Sequence, residues 1–267
     1  MQEVNKSFEI VQTNNGNFLI NENDVIGNFI KNYGCWENHL QTIYSKLIKP
    51  NSVCIDAGAN LGYHSVQFGK LSKTIYSFEP QSLIYNHLCA NILFNDLDNT
   101  IHPIKKGLGD KPSIKQMWSI SKENFGNNIY NWGGRGIEHE YATHNSEETR
   151  EEDLIEIITI DSLNLKQLDF IKIDIQGYEY YAFVGAEETL AKFKPIIFLE
   201  NSLIKDGKEE IMNDKAKNYL LHLGYELYRI HLGNNDDCIL IHPDNPNYKE
   251  CVSIINSFSK SLNIIKE

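Results

Sequence analysis

Short apolar runs alternate with longer segments of helical period along most of the chain. The clearest run is Ser52–Ala57, with Pro50-Asn51 before it and Gly58 after it; this is the pattern of a buried strand ending at a turn. A helical stretch follows at Tyr63–Lys70, then a second strand at Thr74–Phe78. From Ser82 to Phe94, Leu83, Tyr85, Leu88, Ile92 and Leu93 approximate a helical stripe. Pro80 before it and Asn95-Asp96 after it are start and stop signals. A third strand runs about Thr100–Lys105. Little period is found from there until Leu154–Ile160. Asp169–Ile175 then reads as a strand, Tyr178–Lys192 as a helix, Pro195–Glu200 as a strand and Gly207–Leu223 as a helix. Tyr225–Ile230 and Cys238–His242 close the pattern as strands.

Strands alternating with helices predict parallel βαβ units. The last two strands are separated by Gly233–Asp237, which predicts an antiparallel hairpin at one sheet edge. The expected fold class is therefore α/β: a doubly wound, mostly parallel seven-stranded sheet with an antiparallel edge strand. Residues 1–49 form a polar lead-in or cap ending in the amphipathic stretch His39–Ile48. Residues 50–267 form the main domain, with an insert at about 111–153.

A length of 267 residues suits one large domain with decorations. The net charge of −11 repels phosphate backbones, so a nucleic-acid partner is disfavoured. The five cysteines have no C-x-x-C spacing and read as reduced thiols, which with the polar N-terminus predicts a cytoplasmic protein. No apolar stretch approaches the ~20 residues that span a bilayer. Over-use of Asn, Ile, Lys and Tyr points to an AT-rich microbial or viral genome.

The strongest chemical signal is Asp56-Ala-Gly58-Ala59-Asn60-Leu-Gly62-Tyr63-His64-Ser65. A buried strand ends at a carboxylate and runs into a glycine-spaced turn, where backbone can approach a ligand closely. The helix that follows offers free N–H groups. Glu79 lies about 20 residues on, at the end of the second strand, where a carboxylate can accept both ribose hydroxyls. A dinucleotide fold wants G-x-G-x-x-G around its pyrophosphate. Here the spacing is G-x-x-x-G after an acid, which suits an ammonium-bearing ligand such as S-adenosyl-L-methionine. A plain structural turn is the competing reading, and a nicotinamide oxidoreductase the rival ligand class.

These segments resemble the FkbM family of S-adenosylmethionine-dependent methyltransferases. The matching pieces are Tyr33-Gly-Cys-Trp36-Glu37, Asp56–Ser65, Ser77-Phe-Glu79-Pro80, Gly107-Leu-Gly-Asp110, Thr159-Ile-Asp161-Ser-Leu163, Ile171–Glu179 and Pro195–Glu200, in family order. The resemblance implies a Rossmann-like class I methyltransferase that methylates a hydroxyl, often on a sugar or polyketide. It implies a cofactor site at Asp56, Gly58, Ala59, Asn60, Gly62, Tyr63, His64, Ser65, Glu79 and Pro80. Gln176 departs from the glutamate usual there, and the insert matches thinly through Asn131-Trp-Gly-Gly134.

Methyl transfer needs an aligned acceptor and a place for its proton. Alternation places Lys172 and Asp174 on one strand face, Asp174 at the carboxyl end. Asp174 is expected to orient or deprotonate the hydroxyl, with Lys172 tuning its charge; a structural ion pair is the alternative. Glu200 and Asn201 end the next strand, and with Asp174 could hold a hard divalent metal, the lesser of the two readings there. Trp36 and Glu37 read equally as a cofactor cap or as packing. Trp118, Tyr130 and Trp132 read as a hydrophobic plug or a sugar platform, Arg135 as a ligand contact or a solvated loop arginine, and Glu147–Asp153 as a solvated charge run. The acceptor expected is a sugar or other hydroxyl-bearing molecule. A small-molecule, protein or RNA acceptor and a binding module without chemistry remain as alternatives. Oligomeric state is not encoded in these patterns.

Overall fold

The computed structural model describes residues 7–117, 130–137, 154–200, 208–232 and 235–266. A lead-in hairpin, β1 (Phe8–Thr13) and β2 (Gly16–Asn21), precedes α1 (Val25–Tyr33) and α2 (Asn38–Leu47). The core continues as β3 (Val53–Ala57), α3 (Tyr63–Gly69), β4 (Thr74–Phe78), α4 (Ser82–Phe94) and β5 (Ile101–Ile104). Three short strands follow: β6 (Gly107–Leu108), β7 (Ser113–Gln116) and β8 (Leu154–Ile158). Then come β9 (Phe170–Ile173), α5 (Glu179–Val184), α6 (Glu187–Phe193), β10 (Ile196–Leu199) and α7 (Lys208–His222). The chain closes with β11 (Glu226–Leu232), β12 (Asn235–Ile241), α8 (Tyr248–Phe258) and β13 (Ile264–Lys266).

The main sheet has eight strands in the order β13-β11-β12-β10-β9-β3-β4-β5. β10, β9, β3, β4 and β5 are parallel. Successive residues of these strands bury into opposite faces: Cys54 and Phe170 on one side, Ile55 and Ile171 on the other. Helices cover both faces, as continuous apolar strands demand. The expected β11–β12 hairpin forms, paired to Leu232↔Asn235. Two expectations need correction. β12 is reversed but lies inside the sheet, hydrogen-bonded to β10 and β11, and β13 adds an eighth strand antiparallel to β11 at the edge. The short run Ile264–Lys266 carries too little pattern to announce a strand; its register beside β11 creates it.

The expected helix Tyr178–Lys192 is two helices, broken at Gly185-Ala186. A Cβ on Gly185 would lie 2.0 Å from the carbonyl oxygen of Gly109, so the chain bends where the two backbones touch. Asp161 accepts from the Glu188 and Thr189 amides and so anchors the start of α6. The lead-in is structured: Phe18, Ile20 and Ile30 pack with Leu61, Tyr63 and Val66. β6, β8 and β7 form a separate three-stranded sheet beside the main one. Trp118, His139, His144 and Glu147–Asp153 lie outside the described residues. Among the described residues no helix is long and apolar enough to cross a membrane.

Candidate active site

Strand order reverses between β3 and β9, and in open α/β sheets ligands bind at the carboxyl ends beside such a switch. A cleft opens there. The loop Gly58-Ala59-Asn60-Leu61 forms one side, Glu79-Pro80-Gln81 the next, and Lys172, Asp174 and Glu200 the third. Ile26 of the lead-in and Gly133, Gly134 and Arg135 of the insert close the fourth.

The loop conformation follows from the protein's own crowding. Gly58 has φ 79°, and a Cβ there would sit 1.7 Å from the Asp174 carbonyl oxygen. Gly62 has φ 92°, and its Cβ would meet Leu88 Cδ1 at 2.7 Å. Gly58 is thus required by neighbouring backbone and Gly62 by its positive φ, as the structural-turn reading expects, and neither requirement bears on a ligand. Asn60 is left-handed at φ 51°; its Oδ1 accepts from Leu61 N at 2.6 Å.

Glu79 accepts from Asn60 N at 3.1 Å and Gln81 N at 2.8 Å. Burial raises its pKa to about 7, against the pull of those amides and of Arg135. Arg135 is buried, not solvated, and donates to Gln81 Oε1 at 3.3 Å. Gln81 Nε2 donates to the Trp132 carbonyl at 3.0 Å, and Trp132 N donates to Asp24 Oδ1 at 3.1 Å. The other oxygen of Asp24 caps α1 through Gly27 N at 3.0 Å. Lead-in and insert are thereby tied together beside the cleft.

Of the expected cofactor residues, Gly58, Ala59, Asn60, Tyr63, His64, Glu79 and Pro80 line the cleft. Asp56, Gly62 and Ser65 lie behind its wall. The surroundings of Asp56 are internal. Its side chain is fully buried, it stands in register with Lys172 on β9, and it accepts from Ser65 Oγ at 2.6 Å. Lys172 Nζ lies 3.9 Å from Asp56 and 3.5 Å from Asp174. A carboxylate so placed is the counter-ion of a buried ammonium. Burial pulls the lysine down, but Asp174 and Asp56 hold it above the ordinary lysine range, so it stays charged.

Asp174 is the crowded member of the charged end. Its Oδ1 accepts from Gln176 Nε2 at 2.7 Å, its Oδ2 from Lys172, and Glu200 adds a further hydrogen bond. Burial works upward on Asp174, yet these partners hold it below the usual carboxylate range. Burial, then Asp174 itself, pushes Glu200 well above that range, so Glu200 carries the proton between them. The amide at position 176 suits this site, because it donates where a glutamate would add like charge. Glu179 braces the same loop by accepting from Ile175 N at 2.8 Å and Gly177 N at 3.3 Å.

Glu37 and Trp36 line the cleft. His64 Nε2 lies 2.8 Å from Glu37 Oε2. Trp132 is buried, and Tyr130 pairs by backbone with Asn23 and Val25. The roles of Asp24 and Gln81 were missed in the sequence. Asp24 just before Val25-Ile26 carries an N-cap signal that could have found it; Gln81 carries none. Among the described residues no group of three or more His, Cys, Asp or Glu is placed to hold a metal ion, and Asn201 lies outside them.

An eight-stranded, doubly wound sheet with a cleft at its switch point and a carboxylate ending the second core strand defines a Rossmann-like α/β protein. The model of the methyltransferase FkbM domain matches residues 56–227, and the chain belongs to that family. Among solved structures, an FkbM methyltransferase from Methylobacillus flagellatus KT is similar at 17% identity and TM-score 0.50, covering 76% of this chain and 50% of that one. Trm5b from Pyrococcus abyssi is similar at 11% identity and TM-score 0.47, covering 88% of this chain and 55% of that one. M. jannaschii TYW2, solved in complex with AdoMet, is similar at 12% identity and TM-score 0.44, covering 90% and 87%. The chain thus spans about half the length of the first two. Comparison with curated proteins finds no match.

Proposed function

We propose that this protein is an S-adenosyl-L-methionine-dependent O-methyltransferase whose acceptor is a hydroxyl of a sugar or glycoconjugate. The observation that carries the cofactor reading is the gradient along the cleft. By strand order, Leu108, Met117 and Ile137 with Lys106 lie toward β5; Glu79 ends β4 in the middle; Asp174, Lys172 and Glu200 lie at β9 and β10 at the far end. That sequence of surfaces fits a base, a ribose and an amino-acid tail. Glu79 would take the ribose hydroxyls, Asn60 and Ala59 would flank the tail, and Pro80 would border the base. A pyrophosphate would instead meet the carboxylates of the far end. When bound, the cofactor supplies an electrophilic methyl group; the chain's own work is to hold the acceptor and keep water out.

The acceptor reading rests on the family resemblance and on the acidic far end, which suits a neutral polyol better than a phosphodiester. Asp174 is held too firmly by its partners to serve as a strong base, so its role is to orient.

Thermal shift with S-adenosyl-L-homocysteine against NAD tests the ligand class. Stabilisation by the former alone is expected, and stabilisation by NAD alone would overturn the reading. Transfer of labelled methyl to a panel of sugars, glycolipids, small phenols and RNA tests the acceptor, with and without chelator. Label in a sugar hydroxyl, undiminished by chelator, is expected; label confined to RNA refutes the acceptor assignment.

A further inference from the structure

Glu37 stands out among the groups lining the cleft. It sits at the start of α2 with φ 43°, a left-handed conformation that a glutamate rarely adopts, and its side chain makes no capping bond to the helix. Strained backbone of this kind persists where surrounding structure enforces it, and it concentrates at functional sites. Here the enforcement is visible: His64, on the buried helix that follows the glycine turn, fixes one carboxylate oxygen at 2.8 Å. Among the described residues the other oxygen, Oε1, has no hydrogen-bonding partner. The side chain keeps 14% exposure, toward the cleft it lines.

Its neighbours decide its chemistry. His64 from α3, His39 from α2, Lys172 and Asp174 at the end of β9, and Glu200 at the end of β10 all act on it. Burial works upward on Glu37, but His64 and Lys172 outweigh it and leave the carboxylate ionised. Glu200 holds a proton already, and Asp174 is held below the usual carboxylate range by Lys172, Gln176 and Glu200, so it is the weaker proton acceptor. Glu37 combines an ionised carboxylate with an oxygen open toward the cleft.

We propose that Glu37 takes the hydroxyl proton of the acceptor, with His64 as its positioning residue; this rests on the methyl-transfer reading above. The acceptor oxygen uses a lone pair to form the new C–O bond, and the pair of the broken S–C bond stays on sulfur. The O–H proton passes to Glu37 Oε1. A hydroxyl, a sulfonium and a carboxylate thus become a methyl ether, a thioether and a carboxylic acid, with charge conserved.

The test compares wild type with Glu37→Gln, Glu37→Asp, His64→Gln and His64→Leu, using S-adenosyl-L-methionine and the sugar panel. Glu37→Gln should lower kcat by about a hundredfold or more. Its affinity for S-adenosyl-L-homocysteine should stay within about threefold of wild type, because the cofactor is held elsewhere. Glu37→Asp should recover part of the rate. His64→Gln, which keeps an N–H donor, should lose less than His64→Leu and covers the case in which the leucine variant misfolds. In the unliganded protein the His64 ring-nitrogen NMR signals should move in Glu37→Gln. Turnover of Glu37→Gln near the wild-type rate, loss of homocysteine-analogue binding alongside turnover, or unmoved His64 signals would each overturn the assignment of Glu37 alone. A wild-type protein that binds the analogue but methylates no hydroxyl overturns the reading beneath it as well.

Discussion

Glu79 carries a proton across the neutral range, and that has a sign. Its pKa of about 7 exceeds the ordinary 4.5 because burial disfavours the charge. The folded protein therefore holds a proton that the unfolded chain releases between those values. The stability this contributes is full below pH 4.5, on the order of 3 kcal/mol, and is lost as the pH rises through 7. Ribose hydroxyls donating to Glu79 would favour the ionised form. Binding of S-adenosyl-L-homocysteine should accordingly release up to one proton and weaken by about tenfold per unit below pH 7. Calorimetry in buffers of different ionisation enthalpy measures this, and Glu79→Gln should abolish the dependence. Affinity that stays flat from pH 5.5 to 8 would remove Glu79 from the ribose contact. Gly58→Ala belongs to the same scale. Its Cβ would lie 1.7 Å from a backbone oxygen at a positive φ, so a loss of about 3 kcal/mol or more is expected by thermal melting. Residue identities at the cleft were largely legible, because strand-end position and glycine spacing are local facts. Orientation was not: Asp56 faces inward because β9 places Lys172 directly across from it, and that pairing joins residues 116 positions apart.

At the scale of elements, α1 is the piece most exposed to test. Asp24 uses one oxygen to cap the helix and the other to hold Trp132 N, itself bonded through its carbonyl to Gln81 beside Glu79. Asp24→Ala removes a cap and orphans a buried N–H, which together cost about 2 kcal/mol. It should also speed release of S-adenosyl-L-homocysteine, read by stopped flow, while Asp24→Asn, whose amide nitrogen cannot accept, should keep one of the two bonds and lose about half as much stability. An unchanged release rate in Asp24→Ala would show that Trp132 needs no anchor. The core strands and α4 were readable because apolar runs and turn residues mark them on their own. The lead-in hairpin was not. Phe18 and Ile20 bury against Tyr63 and Val66 of α3, Asn91 of α4 holds the Leu19 backbone, and nothing between Asn14 and Asp24 announces those partners.

For the molecule as a whole, the alternation of strands and helices announced the doubly wound sheet, and the polar link between the last strands announced their hairpin. Strand order was hidden, since β12 lies between β10 and β11 through pairing that no local pattern encodes. The same holds for the tie between Asp24 and Trp132, 108 residues apart. That tie limits how the scaffold can be re-engineered. A foreign segment spliced in place of residues 111–153 alone would replace Trp132 and leave Asp24 without the backbone N–H it was shaped to hold. A chimera intended to change selectivity should therefore exchange both segments together, as one split module.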